Sequence, residues 1–269
     1  MKYVNNQFFK ELFIFIKKQA RASVFGGVLL FVIIITKWIN FNDFLLTRYD
    51  VIFLMAIFIQ FILLITKMET VRELKVIFSF HFLAMVMELF KTNPMIGSWR
   101  YPDQPGIFML ATVPLFTGFL YSSVGSYIAR AWRIFDLHFT YFPKFKYLSL
   151  FSLCAYLNFF THHYIWDIRW VLFLMVIVIF HKTIVHFTMI KTPRSMPLIF
   201  GFLLISFFLY VAENVGTYMK VWLYPNQTID WQLVRFGKFG SWFLLIIISF
   251  TLVAFIYRGN IFRNDKSTR

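Results

Sequence analysis

Residues 239–257, FGSWFLLIIISFTLVAFIY, decide the class of fold, because nineteen consecutive positions carry no charge. A helix of about 20 apolar residues crosses the roughly 30 Å of bilayer hydrocarbon. Seven more stretches are predominantly apolar, with at most two charged residues each: 23–38, 51–66, 74–90, 106–129, 147–162, 170–190 and 197–218. Several fall short of a full crossing, so their ends must recruit flanking aromatic or amphipathic residues. In hydrocarbon a backbone must satisfy its own hydrogen bonds, which leaves helices or a closed barrel. The runs are continuous rather than alternating, which selects helices. The expectation is an all-α integral membrane protein of about eight transmembrane helices, forming one domain over residues 1–269.

Composition agrees. The 269 residues are 59% hydrophobic and 14% charged, whereas soluble domains run near 45–50% and about 25%. The net charge of +15 would suggest nucleic acid in a soluble protein. Here the bases sit in short loops beside apolar runs, so anionic lipid headgroups are the expected partner and nucleic acid is not. With eight crossings, Lys and Arg divide 19 to 8 between the two sets of loops. Basic loops stay cytoplasmic, which places both termini in the cytoplasm and predicts a multi-pass protein of the cell membrane. The basic start resembles a signal peptide, but Lys37 and Trp38 follow the first apolar run where a small-residue cleavage site would lie. A retained anchor is expected. The single cysteine, Cys154, excludes an intrachain disulfide and any cysteine-based metal or redox motif.

Two segments echo one another. Residues 88–102 read ELFKTNPMIGSWRYP and residues 213–225 read ENVGTYMKVWLYP. Each sets a glutamate near the end of an apolar run and Trp-x-Tyr-Pro in the loop beyond. Four spans separate them, so direction is preserved. This predicts a parallel 4+4 repeat with halves 1–130 and 131–269, related by an axis along the membrane normal. The alternative is an ordinary interfacial belt of Trp and Tyr.

Ionisable groups within a bilayer cost at least about 2.5–3.5 kcal/mol, which makes each one a functional candidate. Glu88 and Glu213 occupy matching positions. His81 stands seven residues before Glu88, on the same helical face. Residues 158–169, NFFTHHYIWDIR, contain His162, His163 and Asp167. If the helix continues there, His163 and Asp167 are neighbours at i, i+4, a common acid–base or metal arrangement. Glu88, His162, His163, Asp167 and Glu213 are therefore the candidate catalytic residues. If a metal is bound, its candidate ligands are His162, His163, Asp167 and Glu88; no cofactor can be named. His181 and His186 read as structural. Gly118, Ser122 and Gly125 or Ser126 form a small-residue ribbon that permits close helix packing, and Pro114 is expected to kink its span.

The segment Glu88-Leu-Phe-Lys-Thr, the Gly97-Ser-Trp99-x-Tyr101-Pro102 that follows, the run Val113-Pro-Leu-Phe-x-Gly118-Phe-x-Tyr121-x-x-Val-Gly125-Ser-Tyr127, and Asn158-Phe-Phe-Thr-His162-His163 together resemble the YoaT-like family of bacterial membrane proteins. The resemblance covers most of the chain. It implies a multi-pass bacterial membrane protein and carries no activity, since the family is a domain of unknown function. A looser likeness over residues 85–125, to carotenoid-pathway membrane proteins of the hydratase type, carries no substrate over.

Three functions stand at this point. One is an intramembrane enzyme acting on a lipid or isoprenoid through the Glu/His/Asp cluster near the outer leaflet, which the shared location of the five candidates favours. The others are a proton- or cation-coupled transporter and a non-catalytic membrane scaffold.

Overall fold

The computed structural model describes residues 2–190, 193–259 and 261, with side chains from residue 8 onward. Of the basic residues counted above, Lys191, Arg263, Lys266 and Arg269 lie outside the described residues. The fold is mostly helical. Its elements are α1 (Lys2–Ala22), α2 (Val24–Thr36), α3 (Arg48–Ile65), α4 (Val71–Lys91), β1 (Met109–Leu110), β2 (Val113–Pro114), α5 (Phe116–Ile134), β3 (His138–Thr140), α6 (Phe145–Thr161), α7 (Arg169–Phe180), β4 (Ile184–Thr188), β5 (Pro193–Pro197), α8 (Leu198–Tyr218) and α9 (Gly237–Ile256). A 3-10 turn spans Pro225–Gln227.

Helix starts follow capping chemistry where the sequence supplies it. The N–H groups of Thr47 and Thr70 donate to the Asp50 and Glu73 carboxylates at 3.0 and 2.7 Å. The Asp50 and Glu73 N–H groups donate back to the two threonine hydroxyls. These capping boxes satisfy the orphan donors that open α3 and α4. Both reciprocal carboxylates are buried.

Each of the eight predicted apolar runs overlaps one of the helices α2 to α9, but not all remain helical throughout. Three helices, α3, α8 and α9, are long and apolar enough to cross a membrane. A fourth crossing would be α1 and α2 together, which bend by 71° at Ser23. With its 12 residues, α7 reaches only about 18 Å at 1.5 Å per residue. The expectation of an all-α fold needs correction at two spans. The run 170–190 stops being helical after Phe180. Its β-branched Thr183-Ile184-Val185 segment leads into β4, which pairs antiparallel with β3 and β5. The run 106–129 is helical only from Phe116, and Pro114 ends β2 rather than kinking a helix.

Packing follows a recurring pattern. Helix α2 packs on α3 and α5, and α6 packs on α7 and α9. Helix α4 lies along α5, α8 along α9, α2 against α8 and α4 against α6. The buried centres are Phe116, Ile52 and Leu29 on one side and Leu148, Phe202 and Val253 on the other. Outward faces stay apolar, with Phe58, Phe61 and Ile65 on α3, Leu174 and Val178 on α7, and Phe207 and Phe208 on α8 exposed.

The small-residue ribbon does what the sequence predicts. Gly118 of α5 lies against the imidazole of His81 on α4, and any β-carbon added there would overlap the ring. Gly118→Ala should therefore lower stability by about 1–3 kcal/mol, the usual cost of overpacking. Gly27→Ala, where a β-carbon would meet nothing within 4 Å, should leave it unchanged or raise it. Thermal unfolding in detergent compares the two. Equal midpoints for both variants would mean that α4 and α5 do not approach this closely.

Candidate functional site

The two echoing segments fold into two equivalent clasps. Glu88, near the end of α4, is 2% exposed, and Glu213, near the end of α8, is 5% exposed. The Trp99 indole donates to Glu88 at 2.9 Å, and the Tyr101 hydroxyl donates to it at 2.7 Å. Likewise the Trp222 indole donates to Glu213 at 2.9 Å, joined by the Tyr224 hydroxyl. In each half the loop turns back so that its Trp-x-Tyr supplies two donors to the carboxylate that precedes it. Hydrogen bonds to a charged group contribute about 1.5–3 kcal/mol each, which offsets the burial of an acid.

The two clasps are joined at their middle residues. The Arg100 N–H donates to the Leu223 carbonyl and the Leu223 N–H to the Arg100 carbonyl, both at 2.9 Å. This forms an isolated antiparallel bridge. The Trp99 and Tyr224 rings meet edge to face at 6.1 Å. Lys238, at the start of α9, sets its ammonium 4.4 Å from the Trp99 ring centre and 4.5 Å from that of Tyr224, a cation–π distance on both faces. One helix further in, Tyr121 donates to Glu88 at 2.8 Å and stacks on Trp242. Burial, and next the neighbouring carboxylate, push the Tyr101 and Tyr224 hydroxyls well above the ordinary tyrosine pKa. Both phenols therefore stay protonated and serve as donors.

The connection between α2 and α3 fastens onto these loops. Arg48 pairs with Asp103 at 3.1 Å and donates to the Met219 carbonyl at 3.0 Å. The Tyr49 hydroxyl donates to the Val221 carbonyl at 2.9 Å.

A cavity of about 850 Å³ runs inward from the carboxylates between α2, α5 and α8. Its lining along α5 extends from Thr117 to Ala131, about 21 Å at the helical rise of 1.5 Å per residue. Glu88 and Glu213 border one end. Gln19, Tyr127 and Phe187 border the other. His81 does not line it. That imidazole is partly buried against Phe119, and its Nδ1 has no hydrogen-bond partner.

His162, His163 and Asp167 form a separate group outside the cavity lining. Helix α6 ends at Thr161, so residues 162–168 are a turn and the expected i, i+4 pairing of His163 with Asp167 does not form. Asp167 instead accepts from the Asn158 side chain at 3.0 Å and pairs with Arg169 at 3.1 Å. Burial raises the Asp167 pKa, but these partners outweigh it and hold the carboxyl below its usual value. His162 Nδ1–H donates to the Asn158 carbonyl at 2.7 Å. That leaves Nε2 to accept from the Lys91 ammonium at 3.3 Å, and His163 Nε2 accepts from the same ammonium at 2.7 Å. A lysine thus occupies the position between the two imidazoles. Among the described residues, no group of three or more His, Cys, Asp or Glu is placed to hold a metal ion.

Sequence reasoning gives no site role to Lys238 or Tyr121, and it does not bring Lys91 to the two histidines. Lys91 stands three residues after Glu88, a spacing that puts both on one helix face. It also passes over a buried polar group at the opposite end of the bundle. There Glu69 accepts from Gln60 and Ser126, Glu73 accepts from the Tyr257 hydroxyl at 2.8 Å, and Arg130 donates to the Arg21 carbonyl.

Fold and site define a mostly helical protein with apolar helices around a lined cavity and a paired-carboxylate head. The chain belongs to the family described as Protein of unknown function (DUF817), which it matches over residues 11–250. It is similar to "Uncharacterized protein YoaT" of Bacillus subtilis (strain 168), at 40% identity over 245 residues that cover 91% of each chain. No solved structure matches it.

The His163 environment is directly testable. Partial burial, then the Lys91 ammonium, depress its pKa to about 4. The fold thus favours neutral His163. Its contribution to stability is complete above the unfolded value of about 6.5 and declines as pH falls from there toward about 4. In Lys91→Met the His163 pKa should rise, because the positive charge that disfavours its protonation is gone. NMR titration of the imidazole measures it, and an unmoved pKa would show that Lys91 does not contact His163.

Proposed function

We propose that this protein crosses the cell membrane eight times, through α2 to α9, with both ends in the cytoplasm. In this reading it acts on a lipid or isoprenoid held in the cavity. The observation that carries the proposal is the long apolar cavity ending at two buried carboxylates. The outward apolar faces of α3, α7 and α8 support immersion in lipid, and the 19-to-8 division of basic residues supports the orientation. Recurring packing supports a 4+4 repeat in which α2–α5 correspond to α6–α9. The boundary then falls between α5 and α6. The paired Glu–Trp–Tyr clasps and the bridge between them are the natural contact across its axis.

The chemistry of this site is proton transfer. Both Glu88 oxygens accept hydrogen bonds. Glu213 accepts both of its bonds at Oε1, and Oε2 makes none among the described residues. Glu213 Oε2 is thus the acid–base group facing a bound lipid, and Glu88 is the partner that holds the second loop in register. The Lys91–His162–His163 group fixes the neighbouring turn. The meeting of two carboxylates at the junction of the halves also suits a proton-coupled transporter.

Two measurements test the reading. In a Cys154→Ser background, cysteines at Ser98 and Asn226 should react with an impermeant reagent on intact cells. Those at Lys67 and Asp136 should react only after permeabilisation. The reverse pattern, or a mixture within either pair, overturns the topology. Lipid profiles of a deletion strain should differ from wild type, and Glu213→Gln should reproduce the deletion at wild-type protein levels. A deletion with unchanged lipids defeats the enzyme reading, and proton flux into liposomes that Glu213→Gln abolishes would replace it with transport.

A further inference from the structure

Exchanging the halves maps α2, α5 and α8 onto α6, α9 and α4, so the cavity has a counterpart between the latter three helices. There the space shrinks to about 10 Å³, lined by Ala84, Met87, Tyr156, Leu245 and Ile248 among others. Tyr156 from α6 closes it, its hydroxyl donating to the Leu83 carbonyl at 2.9 Å. On the open side α2 presents Gly26 and Gly27 to the cavity. A β-carbon at Gly27 would meet nothing within 4 Å. One copy of the slot is filled by protein and the other is empty of it.

The open slot has a definite chemical character. Its lining along α8 runs from Leu198 to Glu213, about 22 Å at 1.5 Å per residue, so it fits a linear chain rather than a compact molecule. Phe208, exposed on α8 yet lining the cavity, marks a lateral opening toward α2. At the inner end Gln19 and Tyr127 satisfy each other at 2.9 Å. At the carboxylate end the indole and phenol donors of the lining around the two acids are committed. The indoles of Trp99 and Trp222 and the hydroxyls of Tyr101, Tyr121 and Tyr224 all point to Glu88 or Glu213. What remains is an acceptor, Glu213 Oε2, on a side chain nine-tenths buried. A carboxylate or phosphate head would meet two acids while these donors are taken and Lys238 is not part of the lining, and desolvating it unpaired is expensive. The Lys238 ammonium already sits beside the clasps on Trp99 and Tyr224, so a second cation there is disfavoured.

We propose that the slot binds one linear lipid chain ending in a hydroxyl, with the tail running toward Gln19 and the hydroxyl donating to Glu213 Oε2. This rests on the reading of the cavity as the lipid site, and not on any reaction occurring there.

The test uses the full chain purified in detergent and native mass spectrometry with hexadecanol, geranylgeraniol, hexadecanoic acid and hexadecylamine. Both alcohols should bind at one per chain, and the acid at least about tenfold more weakly, the factor supplied by one hydrogen bond to a charged acceptor. Glu213→Gln should reverse the order, because its amide keeps an oxygen for Trp222 and Tyr224 and turns an N–H₂ donor toward the ligand. Gly27→Trp should abolish binding of all four probes, while Gly27→Ala should bind as wild type does. The acid binding as well as the alcohols, the amine binding most tightly, or alcohol binding that survives Gly27→Trp would each overturn the proposal. Alcohol-selective binding beside an unchanged lipid profile in the deletion strain would sink the enzyme reading alone. A changed profile without binding of any probe would sink this one alone.

Discussion

Two backbone hydrogen bonds between Arg100 and Leu223 hold the whole arrangement in place. They join loops that are far apart in sequence, and each loop is anchored to its own helix by a Trp and a Tyr donating to a buried glutamate. An antiparallel pair of this kind carries local two-fold symmetry, since each residue gives and receives the same bond. The constraint propagates outward. Once the loops are clasped, α4 and α8 have their ends fixed side by side, and the helices that follow, α5 and α9, are fed into the centre. There Tyr121 stacks on Trp242.

The buried acids are consistent with this role. An unpaired carboxylate in an apolar interior would be strongly unfavourable, yet Glu88 takes three donors and Glu213 two. The two clasps differ in this respect. Tyr121 supplies Glu88 with a donor from α5, whereas its neighbour in the stack, Trp242 of α9, makes no such bond to Glu213. One oxygen is left open at the head of the cavity.

Sequence reasoning reaches the echoing segments because Glu, Trp, Tyr and Pro recur in order and each is rare enough to notice, but not the bonds that their Trp and Tyr make to the glutamates. It reaches the helices because apolar runs of this length have few alternatives. It misses the sheet of β3, β4 and β5, because Ile184–Thr188 continues an apolar run and only pairing partners distant in sequence make it a strand. It misplaces the His162–Asp167 group for a related reason, since nothing local signals that α6 stops at Thr161. It does not place Lys91 on the imidazoles or Lys238 on the aromatic rings, because a lysine at the end of an apolar helix reads as a headgroup contact. Only the folded chain shows one ammonium shared by two imidazoles and the other laid on two aromatic rings.

Cross-linking tests the bridge most directly. Residues in a hydrogen-bonded antiparallel pair have Cα atoms about 5.5 Å apart, within the range of a disulfide. In a Cys154→Ser background, Arg100→Cys combined with Leu223→Cys should form an intrachain disulfide on mild oxidation, seen as a faster-migrating monomer that reverts on reduction. The single-cysteine variants should show no such shift. A double variant that stays fully reduced, or that cross-links only between chains, would contradict the claim that the two Trp-x-Tyr-Pro loops meet within one molecule.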